Sequence, residues 1–354
     1  MPTTPPPLPS PTPLSGPQPV QPPPPTPGAT PVISAVIPLF RIEVPTYAVV
    51  PPVAHDLALA ALGTFHERRG GQDLLDGEGF LPAAWGRVFA QQSERKWAGT
   101  VDPSFDGSLS GIQAGLDVFG WESGGGHHDR AGFFIAQTQA DGDVKGQALG
   151  WNDLKVGDVD VDGTSLGAYW THIGPSGWYL DGVVMGTDFS GDATSDRAVG
   201  VDVDGSGISL SLEGGYPIAL ADGWTIEPQA QLIWQHLSLD DQQDRFSTVT
   251  FDADDALVGR LGARLQGSFA TASATFQPYL KANLWHGFDG EDQIVFAQTP
   301  VITEFGGTTL EIGGGLIAQL SQSLGLFASA DYTTDLDGEE IEVVEGNIGL
   351  SLKW

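Results

Sequence analysis

Hydrophobic and polar positions alternate along much of this chain, from about Trp85 to the last residue. The clearest stretch runs from Trp224 to His236. Its apolar residues share one parity and its polar residues share the other: Trp224, Ile226, Ala230, Leu232 and Trp234 against Thr225, Glu227, Gln229, Gln231 and Gln235. A period of two residues indicates a β-strand with one apolar face and one polar face.

About twelve such segments follow one another. They lie near 84–97, 105–121, 129–143, 160–174, 176–190, 204–216, 224–238, 254–270, 274–289, 306–320, 323–336 and 341–354. Most are longer than the roughly 5–6 residues typical of soluble sheets. A tilted strand needs roughly 9–11 residues to cross the hydrocarbon layer, so these segments are long enough to span a membrane. The pattern therefore predicts an all-β fold: a transmembrane antiparallel β-barrel of about 12 strands over residues 80–354.

The connections between these segments alternate in length. Even-numbered connections are short, as at Gly174-Pro175, whereas several odd-numbered ones are long and acidic, including 239–253 and 290–305. Bacterial outer-membrane barrels have short turns in the periplasm and long loops outside the cell. Aromatic residues near the predicted strand ends fit interfacial girdles: Trp178, Tyr216, Trp224, Trp285 and Tyr332.

A soluble β-sandwich would also alternate, with its apolar parity facing a shared core. The polar parity of this chain, however, carries charged and amide side chains that suit a water-filled lumen. The predicted lumen-facing residues are Glu227, Gln229, Gln231, Arg260, Arg264, Lys281 and Glu311. An arginine that faced lipid at the membrane centre would cost about 2–4 kcal/mol, which favours an inward orientation.

Charge and composition limit the kinds of partner and of membrane-spanning element that this chain can have. The chain has 354 residues, no cysteine, and a formal net charge of -30 from 45 acidic and 15 basic side chains. Nucleic acid is excluded as a partner because phosphate binding needs a basic face. The sequence has no run of about 20 apolar residues, so it encodes no transmembrane helix.

The residues before the barrel divide into three parts. Residues 1–31 are dominated by Pro, Thr, Ser, Gln and Gly, which predicts a disordered linker; their PxxP spacings would also suit an SH3-type partner, but a spacer is favoured. Residues 32–50 are predicted to be an extended connector. Pro51-Pro52 can open a helix and Gly70-Gly71 can end it, which predicts an α-helix over 51–70. Its residues from Val53 to Arg69 span roughly 25 Å at about 1.5 Å per residue, enough to line most of a pore.

Several short motifs carry a family resemblance. They are residues 40–47 (FRIEVPTY), 62–68 (LGTFHER), 85–89 (WGRVF) and 277–279 (QPY), together with the aromatic last residue. In combination they resemble the translocator domain of the autotransporters, the type V secretion family, from about Phe40 to the end of the chain. The sequence departs from the family pattern at Ile42, where proline is usual, and at the final Trp, where Phe is commoner.

The resemblance implies a 12-stranded barrel with a helix in its pore, which joins an exported passenger to the first strand. The residues Ile348, Leu350, Leu352 and Trp354 at the end of the chain resemble the signal that the barrel-assembly machinery reads. The implied partners are outer-membrane lipids, that machinery and the chain's own passenger, for a monomer in the bacterial outer membrane. Residues 1–10 lack a charged segment followed by an apolar one, so we expect no signal peptide here. Since a barrel must be exported, the sequence is expected to be either a fragment of a longer precursor or the product of a gene with a mis-set start.

No residue is assigned a catalytic, cofactor-binding or metal-binding role. Residues 158–163 (DVDVDG) mimic the opening of an EF-hand, but the twelfth position is Tyr169 where glutamate is required, so a solvated acidic loop is favoured. As an alternative to a dedicated site, the acidic loops together would attract divalent ions. Two alternatives stay open. One is a stand-alone outer-membrane porin or adhesin; the other, more remote, is a barrel hydrolase, although no serine lies in a nucleophile-elbow motif.

Overall fold

A computed structural model describes residues 39–71, 79–221, 223–338 and 340–354, without the side chains of residues 81, 82 and 289. The linker predicted at 1–31 lies outside these residues, and so does the part of the predicted connector at 32–38.

Twelve long strands dominate the described part of the chain. They are β1 (Gly79–Lys96), β2 (Ser104–Ser123), β3 (His127–Ala148), β4 (Trp151–Ile173), β5 (Tyr179–Ser195), β6 (Gly200–Gly215), β7 (Trp224–Leu239), β8 (Ala256–Gly267), β9 (Thr275–Phe296), β10 (Thr299–Gln319), β11 (Leu324–Asp335) and β12 (Ile341–Lys353). Each strand pairs antiparallel with its neighbours in sequence. β1 also pairs with β12, from Ala83↔Lys353 to Arg95↔Ile341, and this closes the ring. The predicted transmembrane barrel is confirmed.

Shorter strands lie within the connections: Ile218–Ala219, Gln242–Gln243, Thr248–Asp252 and Phe269–Ala270. The connection between β7 and β8 is therefore folded over part of its length.

The outer wall of the barrel is apolar. Ile135, Leu166, Leu261 and Leu280 are each 63–66% exposed on the outward parity of their strands. Exposed aromatic residues lie at the end of the barrel that carries the even-numbered turns: Phe80, Phe119, Trp121, Trp170 and Trp354. An apolar band bordered by aromatic residues is what a lipid bilayer requires of a barrel surface.

Trp285 does not belong to this outer girdle, so the assignment made from its position near a strand end is wrong. Its Nε1 donates to a carboxylate oxygen of Glu311 at 2.8 Å, and the Arg260 guanidinium lies 5.4 Å from its ring centroid. Trp285 lies on the same face of β9 as Lys281 and Asn283, which point into the barrel. Its side chain therefore points into the barrel too, although it lies near the end of the predicted strand.

Several connections expected to be long loops are strand. β3 and β4 continue to a turn at Leu149-Gly150, and β9 and β10 continue to a turn at Ala297-Gln298. The ladders persist because inward apolar residues such as Ile294 and Val301 are buried beyond the membrane band. The EF-hand-like residues 158–163 are likewise part of β4 and not of a loop.

The segment before the barrel has three helices within the described residues: α1 (Glu43–Ala48), α2 (Val50–Leu62) and α3 (Phe65–Arg69). The connector expected to be extended is thus helical from Glu43, since all six residues of α1 are buried and this packing outweighs local propensity. No helix in 39–71, 79–221, 223–338 or 340–354 has both the length and the hydropathy of a membrane span.

The helix predicted over 51–70 is broken. Gly63 has φ +58°, a conformation that favours glycine, and it ends α2. Thr64 and Glu67 then form a capping box: the Thr64 hydroxyl accepts from the Glu67 backbone N–H, and the Glu67 carboxylate accepts from the Thr64 N–H. The sequence Gly-Thr-x-x-Glu at 63–67 is a recognisable signal for the start of a second helix. The prediction of one continuous helix did not take it into account.

Candidate functional site: the helix-filled pore

The interior of the barrel is occupied by the chain's own α1–α3 segment. α1 contacts β3, β4, β5, β9 and β10, α2 contacts β2–β7, and α3 contacts β1 and β12. The segment therefore runs through the ring from the end with the odd-numbered connections to the end with the even-numbered turns.

Apolar packing holds α2. Val50, Val53, Ala54, Leu57 and Ala61 are all at most 2% exposed. They belong to one buried cluster with inward residues of the strands, such as Phe134, Val161 and Met185. Since small and aliphatic side chains lie on the helix, its backbone can approach the wall closely, and burial of these residues stabilises the filled state.

Two arginines at the end of α3 pair with buried aspartates of the wall. Arg68 pairs with Asp181 on β5, whose carboxylate also accepts from the Thr171 hydroxyl at 2.5 Å. Arg69 donates from both terminal nitrogens to the carboxylate of Asp117 on β2, at 2.6 and 2.8 Å. Bidentate pairs of this kind fix orientation as well as supplying attraction.

A second set of contacts surrounds the first residues of α3. The Phe65 backbone N–H donates to Glu213 on β6 at 2.9 Å, and His66 lies 2.7 Å from Glu227 on β7. The Lys281 ammonium on β9 lies 2.8 Å from the Glu67 carboxylate. The first residues of α3, including the capping residue Glu67, thus attach this helix to the wall.

Side chains of the wall also satisfy backbone carbonyls at the helix ends. Arg87 on β1 donates to the carbonyl of Ala60 at 2.8 Å, and Gln113 on β2 donates to that of Ala61 at 2.9 Å. Asn347 on β12 donates to the carbonyl of Glu67 at 3.0 Å. The carbonyls in the last turn of a helix have no partner within the helix, so these donors from the wall complete the end of α2 and part of α3.

The opposite end of the pore holds the start of α1 and the residues just before it. Arg41 forms an ion pair with Asp244 at 2.9 Å, and its guanidinium lies 4.6 Å from the ring centroid of Phe246. Both partners belong to the β7–β8 connection. Buried Glu43 pairs with Arg197 at 3.1 Å, in the β5–β6 connection. The loops at this end therefore contact the chain where it enters the barrel.

The residues predicted to face the lumen lie on the inner side of the wall and close to one another. Arg260 donates to Gln229 and Gln231 at 2.9 and 3.0 Å, and Lys281 lies 2.8 Å from Glu311. Glu227 contacts His66, and Arg264 donates to the carbonyl of Gly70 at 3.3 Å. Their expected setting was a water-filled lumen; in the structure they contact one another and the internal segment.

Sequence reasoning missed the wall residues that hold the arginines and the helix ends, namely Arg87, Gln113, Asp117, Asp181 and Glu213. Each occupies the inward parity of its strand and is at most 3% exposed. A charged or amide residue in the inward parity of a predicted strand is the signal that could have identified them.

The final strand presents an apolar outer face. Ile348, Leu350 and Leu352 are 63%, 41% and 41% exposed, and Trp354 is 68% exposed. Their role as an assembly signal stays a prediction. Within the described residues, no group of three or more His, Asp or Glu side chains is arranged to hold a metal ion.

Comparison with known proteins places this chain in a family. The family model for the autotransporter β-domain matches residues 84–331. The pertactin autotransporter of Bordetella parapertussis is 30% identical over 256 residues, which cover 71% of this chain and 26% of that protein. The BrkA autotransporter of Bordetella pertussis is 29% identical over 270 residues, which cover 73% of this chain and 25% of that protein. The chain thus spans about a quarter of the length of these relatives.

Solved structures agree with this assignment. The β-domain of the Bordetella autotransporter BrkA is 25% identical with a TM-score of 0.59, and the match covers 77% of this chain and all of that one. The transport unit of the autotransporter AIDA-I from Escherichia coli has a TM-score of 0.73 at 16% identity over 89% of this chain and all of that one, which supports the fold alone. This chain belongs to the autotransporter β-domain family and is an outer-membrane translocator unit.

Proposed function

We propose that this unit supports the export of a passenger located before residue 39 and then anchors it at the cell surface through α1–α3. The observation that carries the proposal is the path of the chain. The segment passes through the closed ring, with Arg41 and Glu43 held by the loops of one end and Arg69 held near the other end. Any polypeptide joined before residue 39 would continue from the end that carries the loops.

The orientation follows from the connections. Turns of outer-membrane barrels face the periplasm and their projecting loops face outward, so the end that holds Arg41 is assigned as extracellular. β1 begins at Gly79, at the periplasmic end, and follows the internal segment in the chain. The internal segment therefore runs from the extracellular end, at α1, to the periplasmic end, where β1 starts. It connects the cell surface with the periplasm.

A display experiment tests this proposal. The full chain, fused to a signal peptide and a small folded reporter before Met1, is produced in a Gram-negative host. We expect an antibody against the reporter to bind intact cells, and external protease to remove it. Deletion of β12, which opens the ring, is the matched control and is expected to abolish display. A reporter that becomes accessible only after the outer membrane is permeabilised would contradict the proposal.

We infer that the partners of assembly are outer-membrane lipids and the barrel-assembly machinery, and that the barrel acts as a monomer. The support is the exposed apolar outer face of β12 and a closed ring in which each of the twelve long strands is paired on both sides. Removal of Trp354 is expected to lower the yield of folded barrel in cells, while the purified chain still refolds in detergent. Equal losses in both settings would indicate a structural role and not recognition.

The stand-alone porin or adhesin is less well supported, because α1–α3 fill much of the pore and pair with its wall. No catalytic residue is proposed. We assign no activity to the passenger.

A further inference from the structure

A cavity of about 210 Å³ lies beside α2, on the side of the barrel away from β2–β6. Its walls are one face of α2, running from Pro52 to Gly63, together with inward residues of β1 and β7–β12. The packing of the helix against one side of the pore therefore leaves an unfilled space along the other side.

Carboxylates outnumber cations among the charged groups that line this cavity: Asp56, Glu67, Glu311 and Glu345 line it together with one cation, Arg95. Asp56 pairs with Arg95 at 3.2 Å. Glu67 and Glu311 share Lys281, each at 2.8 Å. Lys281 also lies 3.2 Å from Asp331, so a single ammonium serves three carboxylates.

Glu345 differs from the other carboxylates of the lining. One of its oxygens accepts from the Gln91 side-chain amide at 2.7 Å. Within the described residues, no lysine, arginine or histidine lies within ion-pair distance of it; Arg87, on the neighbouring strand, is directed to the carbonyl of Ala60 and to Gln113. Lys281 and Arg87 act on this carboxylate only from beyond ion-pair distance. A partly buried carboxylate with an amide partner and no cation in direct contact is poorly compensated.

Aromatic rings complete the lining. Trp97, Trp285 and Phe305 border the same space, and the His55 ring lies 5.8 Å from that of Phe305. The negative face of an aromatic ring attracts ammonium groups. Carboxylates together with aromatic rings in one cavity are the chemistry that recognises organic cations, with the rings covering the apolar part of the ligand.

We propose that this cavity binds a small aliphatic ammonium ion, with Glu345 as its counter-charge. The size of the space limits the ligand. Pockets for drug-sized molecules measure roughly 300–1,000 Å³, so this smaller cavity suits a primary amine with a short hydrocarbon body. This site is separate from the contacts that anchor α3 to the wall, with the exception of Glu67, whose carboxylate is already held by Lys281.

Calorimetry with the purified full chain refolded in detergent tests the proposal, with n-butylammonium as the probe and 1-butanol as its uncharged counterpart. Wild-type protein is expected to bind the ammonium and not the alcohol. Glu345→Gln keeps the shape and removes the charge, and it is expected to weaken binding by about tenfold or more. Glu342→Gln is the matched control, because Glu342 lies on the outward, exposed parity of the same strand, and it is expected to bind as wild type does.

Trp97→Leu is a second variant, which acts through the aromatic lining and leaves Glu345 unchanged; it is expected to lower the affinity as well. Each variant is first shown to migrate as a folded, heat-modifiable barrel. Three results would each overturn the proposal: no binding of n-butylammonium to wild type, equal binding of 1-butanol, or unchanged affinity in Glu345→Gln. The first would mean that Gln91 or a proton is sufficient to satisfy Glu345.

Discussion

Arg69 in α3 and Asp117 in β2 form a bidentate pair, 2.6 and 2.8 Å long, between the internal segment and the barrel wall. Tyr169 on β4 donates its hydroxyl to the same carboxylate at 2.5 Å. Both members of the pair are almost fully buried. The end of the pore segment is therefore held by a charge pair that water cannot replace.

Asp117→Asn is expected to destabilise the filled barrel strongly. The variant leaves the Arg69 guanidinium buried without its counter-charge, and breaking a buried pair in this way costs about 3–5 kcal/mol. Urea unfolding of the refolded protein measures the loss. Asp106→Asn, on the same strand, is the control, because its pair with Lys145 at 3.3 Å is partly exposed to water and contributes at most about 1 kcal/mol. Similar losses for the two variants would show that Asp117 does not hold the segment.

Gly63→Ala is expected to disturb the break between α2 and α3. Gly63 has φ +58°, and a β-carbon there would lie 2.6 Å from the Arg87 side chain that binds the end of α2. The expected cost is about 1–3 kcal/mol of unfolding free energy. Gly346→Ala is the matched control, since a β-carbon at Gly346 meets nothing within 4 Å. A Gly63→Ala protein as stable as Gly346→Ala would contradict the assigned geometry.

A charged substitution on the outer wall is expected to lower the stability of the barrel only within the apolar band that faces the membrane. Leu280→Arg places a guanidinium on the lipid face of β9, where Leu280 is 65% exposed, and is expected to cost about 2–4 kcal/mol. Glu291→Arg lies further along the same strand, beyond that band, and is expected to change stability by less than about 1 kcal/mol. Unfolding in lipid vesicles compares the two. Equal effects would mean that the band is misplaced.

Titration of Asp292, at the extracellular end, is expected to make the stability of the folded protein depend on pH. It lies beyond Phe288, the last exposed apolar residue of β9, and it is buried with the Asp254 backbone N–H 3.1 Å from its carboxylate. Burial, together with the charge of Asp254, raises the pKa of Asp292 to about 7. Between its ordinary pKa and 7 the folded state binds more protons than the unfolded state, so this stabilising term is complete below the ordinary pKa and is lost progressively until the pH has risen through 7.

Asp292→Asn removes that titration but keeps an oxygen that can accept from Asp254. The stability of the variant relative to wild type is expected to rise from about pH 4 to pH 7 and to level off above it. Thermal unfolding at several pH values measures the difference between the two proteins. A difference that is constant with pH would show that Asp292 does not titrate in this range.

The barrel could be predicted from the sequence because alternation is a local property. In β7, for example, the parity of Glu227, Gln229 and Gln231 alone assigns them to one face. The break at Gly63 was also encoded locally, by the glycine and the capping box that follows it, but the strong helical composition on both sides hid it.

The partners inside the pore could not be predicted in the same way. Arg68 meets Asp181 and Arg69 meets Asp117 only because the tilt of the strands and the rotation of α3 bring these side chains to the same level. These quantities depend on the closure of the whole ring. The extent of β3, β4, β9 and β10 beyond the membrane was missed for a related reason, since neighbouring strands support one another there.

The path of the chain through the membrane is tested most directly by labelling single cysteines in living bacteria, and the absence of native cysteine makes this possible. Leu39→Cys lies just before the internal segment, and Gly124→Cys lies in the β2–β3 turn. With a signal peptide supplied, a membrane-impermeant maleimide is expected to label Leu39→Cys on intact cells, and Gly124→Cys only after the outer membrane is permeabilised. Labelling of Gly124→Cys but not Leu39→Cys on intact cells would contradict the account.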